Sequence, residues 1–138
     1  MKNLKTIKIK NDLWELRGSK DCIIKTKVKD GHYTNYYNLF KQDNIVIEGV
    51  EEKEPNHYIF ENWWHNDGID CGYDAYGYIY YVTIDELLKN IEQLQLPKEF
   101  LEELFYLKTA LINFKMMGKK RRYTINKTNT VNDKNMIE

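Results

Sequence analysis

The feature that most limits the fold is a change of hydrophobic period at Thr83-Ile84. Ahead of it, apolar and polar residues alternate in short runs separated by turn residues. Beyond it, apolar residues recur every three or four positions. Alternation places successive side chains on opposite faces of a strand, whereas the longer period lines one side of a helix. Strands followed by helices, without interleaving, predict an α+β domain: an antiparallel, meander-like sheet of about six strands, followed by a helical hairpin packed on one face.

The alternating runs give the sheet. In residues 4–10, Ile7 and Ile9 oppose Lys8 and Lys10. Residues 13–17 carry Trp14 and Leu16 on one side and read as a second short strand ended by Gly18-Ser19. In residues 22–29, Cys22, Ile24, Thr26 and Val28 point one way and Ile23, Lys25, Lys27 and Lys29 the other. Asp30-Gly31 then signals a tight hairpin into the tyrosine-rich run 32–40. Residues 45–50 form a compact further run. A charged loop with Pro55 separates it from residues 57–64, since proline donates nothing to a sheet ladder. An ordered loop of about eight to twelve residues follows, as functional loops on a rigid sheet often are, and residues 78–82 form a last strand.

After the change of period, Thr83-Ile84-Asp85-Glu86 spells a capping box, in which each of Thr83 and Glu86 satisfies an amide near the other. Ile84, Leu87, Leu88, Ile91 and Leu94 then make one apolar stripe. Pro97 suits the start of a second helix, where its missing N–H costs nothing. That helix carries two stripes, Phe100, Leu104, Leu107, Leu111 and Phe114 on one side and Leu101, Phe105, Ile112 and Met116 on the other, and Gly118 is its expected stop. Two apolar sides need two covers, so association of this chain as a homodimer is expected. Residues 123–128 are expected to pair as an edge strand, which makes residues 1–128 one domain and 129–138 a polar tail.

Charge and composition narrow the function. The formal net charge is zero, with 21 basic and 21 acidic residues in 138, yet the charges are segregated. Bases dominate residues 2–29 and 115–127, and acids dominate residues 43–74. Such separation creates local fields in a neutral molecule. Opposite charges facing one another across a sheet are the plainer account of part of it. No apolar run is long enough to span a bilayer, and mean hydropathy is −0.69. The N-terminus has charge without an apolar segment, so export is not expected. Cys22 and Cys71 form no CxxC pair and read as reduced thiols in a cytoplasmic protein.

Residues 58–83 concentrate nine of the nineteen aromatic residues among Glu61, His65, Asp67, Asp70, Cys71 and Asp74. Tyrosine and tryptophan pair a large apolar ring with one polar atom, which suits protein interfaces. Carboxylates steer a basic partner into contact. The leading expectation is therefore a cytoplasmic, non-enzymatic protein-interaction module that binds a basic partner surface through Glu61, Trp63, Trp64, Asp67, Asp70, Asp74, Tyr76 and Tyr78. In composition alone it is similar to small inhibitors of nucleic-acid enzymes, such as phage anti-defence and immunity proteins. A second reading is a nucleic-acid binder that uses Lys25, Lys27 and the cluster Lys119, Lys120, Arg121 and Arg122, with tyrosines for base stacking. A third is metal-dependent hydrolysis through Glu61, Asp67, Asp70 and Asp74. Their spacing matches no zinc or calcium pattern, so no metal or cofactor is assigned. Ser19 is the only serine and sits in a turn, and Walker A or Rossmann glycines are missing, which leaves hydrolytic and nucleotide-dependent chemistry without a motif.

Overall fold

A computed structural model describes residues 4–67 and 75–127, with side chains through residue 116. Five strands, β1 (Lys5–Thr6), β2 (Cys22–Asp30), β3 (Tyr33–Lys41), β4 (His57–Asn66) and β5 (Ala75–Thr83), are joined by four helices, α1 (Leu13–Arg17), α2 (Ile84–Lys89), α3 (Ile91–Leu94) and α4 (Lys98–Lys127). All strand pairs are antiparallel, in the order β1-β5-β4-β3-β2. The α+β class follows directly, with an open five-stranded sheet. The chain divides into two compact units, Met1–Glu102 and Glu103–Glu138. The sheet, α1, α2, α3 and the first residues of α4 belong to the first unit, and the remainder of α4 to the second.

Two of the expected strands take other forms. Residues 13–17 are helical because Asp12 caps the turn, its side chain accepting a hydrogen bond from the Trp14 N–H at 2.8 Å. The Asp12-to-Glu15 spacing is an N-terminal helix signal, and it outweighs the alternation of Trp14 and Leu16. Residues 45–50 contribute one isolated bridge, Ile9 to Ile47. Gly49, at φ +79°, then turns the chain away. Both Ile45 and Ile47 are nonetheless buried, so the apolar pattern reported burial rather than strand pairing.

The helical half holds its expected start. Thr83 and Glu86 make the reciprocal capping box, at 3.1 and 2.9 Å. The first helix is broken at Asn90 into α2 and α3, and the second is one helix that passes Gly118 and takes in residues 123–127, where an edge strand was expected. A glycine within a helix costs about 1 kcal/mol, which weakens a helix at that point without ending it. The tail 129–138 lies outside the described residues.

Register sorts the strands into two faces. Ile59, Glu61, Trp63 and His65 of β4 share a face with Phe40, Asn38, Tyr36 and Thr34 of β3 and with Tyr81, Ile79, Gly77 and Ala75 of β5. α1 and the N-terminal segment cover one end of this face, where Ile7, Leu16, Phe40, Ile45, Ile47, Ile59 and Tyr81 form a core. The buried Tyr81 hydroxyl is satisfied there, donating to Gln42 Oε1 at 2.6 Å and accepting from the Glu54 N–H at 2.7 Å. On the opposite face, Phe100 from the first turns of α4 meets Phe60 edge-on, with ring centroids 5.4 Å apart, and lies 6.3 Å from Tyr37.

Burial falls along the strands in one direction. Residues 80–82 of β5 and 59–61 of β4 are buried, whereas residues 75–78 of β5 are exposed. The turn at Gly31, the end of β4 at Asn66 and the start of β5 at Ala75 lie at this same end of the sheet. The sheet thus has a covered end, which supplies the core, and an open end, which presents aromatic residues on both faces.

Candidate functional site

The site expected from sequence divides between the two faces of the open end. Adjacent residues of a strand point opposite ways, so Trp63 and Trp64 cannot share a surface. Trp63 goes with Glu61 to the face bearing α1; Trp64 goes with Tyr76 and Tyr78 to the face bearing α3.

On the α1 face, Glu61 is 1% exposed. Its carboxylate accepts from Arg17 Nε at 3.0 Å, from Arg17 Nη2 at 2.5 Å and from Asn38 Nδ2 at 3.0 Å. The expectation that Glu61 faces a partner is therefore corrected. Burying a carboxylate without a counter-charge is prohibitive, and the chain's own Arg17 supplies that counter-charge. The guanidinium also lies over Trp63 at 4.1 Å and over Trp14 at 4.8 Å, an arrangement that adds cation–π attraction. Trp63 stacks on Tyr36 with centroids 4.1 Å apart and planes 8° from parallel, and it meets Trp14 edge-on at 5.5 Å. Gly77 sits across from Trp63 in β5, where a Cβ would fall 2.8 Å from Trp63 Cβ. The glycine lets β5 approach Trp63 Cβ and the β4 backbone this closely.

Beyond this stack, Tyr36 Oη and His65 Nε2 share a hydrogen bond at 3.2 Å, and His65 Nδ1 lies 2.8 Å from Asp67 Oδ1. The Thr34 hydroxyl donates to Asp67. That bond, with His65 and the nearby Lys29 and Lys27 assisting, holds the Asp67 carboxyl below its usual range. Asp67 therefore orients the end of β4 rather than standing unengaged at the surface.

The other face brings three of the residues selected from sequence together. Trp64 lies 5.6 Å from Tyr78 and 6.4 Å from Tyr76, and Tyr78 stacks on Tyr80 at 6.2 Å. Tyr33 joins them, a residue the sequence reading did not select. Its register opposite Asn66 in β4 was the missing information. Tyr33, Tyr76 and Tyr78 are 46%, 58% and 52% exposed. With Asn35, Asn62 and Gln95, Tyr33, Trp64 and Tyr78 line an open hollow of about 530 Å³.

Lys25 and Lys27 project from β2, at the sheet edge, on the same side as Trp63, and Lys25 Nζ donates to the Arg17 carbonyl at 3.0 Å. Lys119, Lys120, Arg121 and Arg122 fall within α4, in the second unit, and their side chains lie outside the described residues, as do Asp70, Cys71 and Asp74. Burial pushes the Cys22 thiol up to about 11, so it is protonated at neutral pH and a poor nucleophile. Among the described residues no group of three or more His, Cys, Asp or Glu could hold a metal ion, and no helix is long and apolar enough to cross a membrane. Comparison with protein-family models, curated proteins and solved structures gave no match.

Proposed function

We propose that this chain is a protein-interaction module whose docking surface is the α3 face of the open end, built on Tyr33, Trp64, Tyr76 and Tyr78. The observation that carries the reading is the half-exposure of Tyr33, Tyr76 and Tyr78 on one strand face, with the partly buried Trp64 between them. Contiguous exposed aromatic area of this kind marks interaction surfaces. The neighbouring amides of Asn35, Asn62 and Gln95 complete a composition close to that of antibody paratopes, where rigid rings supply contact area and amides adapt their hydrogen bonds.

The site differs from the acidic patch expected from sequence. Glu61 and Asp67 belong to the other face, and Asp30 is the carboxylate that lines this hollow among the described residues. The partner that fits is a mixed polar and apolar protein surface rather than a strongly basic one. A protein acting by occupancy, as inhibitors and immunity proteins do, requires no catalytic group of its own.

The test is a photo-crosslinking residue in place of Tyr78, used to capture the partner from the native cell extract, followed by binding measurements with Tyr76→Ser/Tyr78→Ser. Truncating two central rings should weaken binding at least tenfold, since such anchors carry about 2 kcal/mol or more each. A folded double variant that keeps full affinity for the captured partner would remove this surface from consideration.

A further inference from the structure

The α1 face has its own constellation, separate from the surface just proposed. Trp14 stands 69% exposed at the rim of an open groove of about 820 Å³, with Arg17, Lys25, Tyr36, Trp63 and His65 around it. A further observation bears on a ligand: Lys25, Lys27 and Lys29 are exposed along edge strand β2 on the groove side. Alternate residues of a strand are roughly 6.6 Å apart, a step comparable with that between successive phosphates of an extended polynucleotide.

We propose that this groove binds single-stranded nucleic acid. One base stacks on the exposed indole of Trp14, and the phosphates follow Lys25, Lys27 and Lys29. Base faces are sequence-tolerant stacking partners, and a basic track beside aromatic platforms is the general design of single-strand binding surfaces. A duplex hides its base faces and cannot use the indole. Glu61 and Asp67 on this face are already engaged by Arg17 and by Thr34 and His65, so they oppose a phosphate less than free carboxylates would.

The experiment is fluorescence anisotropy of the full chain with labelled oligothymidine and oligouridine of about fifteen nucleotides, titrated across salt concentrations. Binding at low salt should weaken steeply as salt rises. Trp14→Ala should reduce affinity roughly tenfold. Lys25→Gln/Lys27→Gln/Lys29→Gln should make the log–log salt slope shallower by about 2, as expected for loss of three single-strand phosphate contacts. Tyr76→Ser/Tyr78→Ser should bind the oligonucleotide unchanged, which separates this site from the protein-docking face. No binding at low salt would overturn the proposal. So would a mononucleotide or a duplex binding as tightly as the single strand. So would affinity that survives both groove variants but is lost when Lys119, Lys120, Arg121 and Arg122 are replaced by glutamine.

Discussion

Glu61 illustrates how one carboxylate can be read as surface chemistry and turn out to be internal structure. Its two oxygens accept from Arg17 and Asn38, and the guanidinium is in turn held between Trp14 and Trp63. Removing one partner of a buried pair leaves the other charge uncompensated, at a cost of about 3–5 kcal/mol. Glu61→Ala should therefore lower the midpoint of urea unfolding by that equivalent, with the slope unchanged. A paired Glu61→Leu/Arg17→Met replacement should recover most of the loss, because no charge is then stranded. Cys22 makes a second residue-level prediction. With its folded value raised by burial to about 11, against an ordinary 9.0, the folded state holds this proton more tightly than the unfolded state does. The corresponding stability is fully present below pH 9 and is lost as pH rises towards 11. In a Cys71→Ser background, alkylation of Cys22 by iodoacetamide at pH 8 should be slow in the folded protein and rapid in urea.

The elements show which local signals prevail. Alternation and turn residues located β2, β3 and β4 within a residue or two, although the covered end of the sheet is buried on both faces, at residues 37–40, 59–61 and 80–82. Alternation failed at residues 13–17, where a cap and a single turn serve the same burial of Leu16, and at residues 45–50, where burial of Ile45 and Ile47 comes without a ladder. Period-2 patterns report which side chains are dry, not which backbone bonds they make. The β4–β5 pairing carries a prediction of its own. Gly77 faces Trp63 with no space for a methyl group, so Gly77→Ala should displace the indole or part the strands. A loss of about 1–3 kcal/mol is expected for such overpacking, read by thermal unfolding and by a change in the near-ultraviolet circular dichroism of Trp63. Gly31, in contrast, has φ +62° with open space around it, and its role is the turn itself.

For the molecule as a whole, the exposed apolar length of α4 predicts self-association. Phe105, Ile112 and Met116, one of the two stripes visible in sequence, are about half-exposed, and Phe114 is more so. Sedimentation at rising concentration should reveal a species heavier than the 16.7 kDa monomer, and Phe105→Ser/Ile112→Ser should return it to monomer. A wild-type chain that stays monomeric at high concentration would count against this. The sequence by itself determined the α+β class, the turn at Asp30-Gly31, the capping box at Thr83 and the concentration of aromatic residues in 58–83, because each depends on residues within a few positions of one another. Tertiary structure alone decided that Trp63 and Trp64 serve different faces, that Glu61 is neutralised by Arg17 forty-four positions away, and that Tyr33 joins Trp64. Those outcomes depend on strand register and on which end of the sheet is covered. Both are set by packing between distant segments, which the spacing of residues along one chain does not encode.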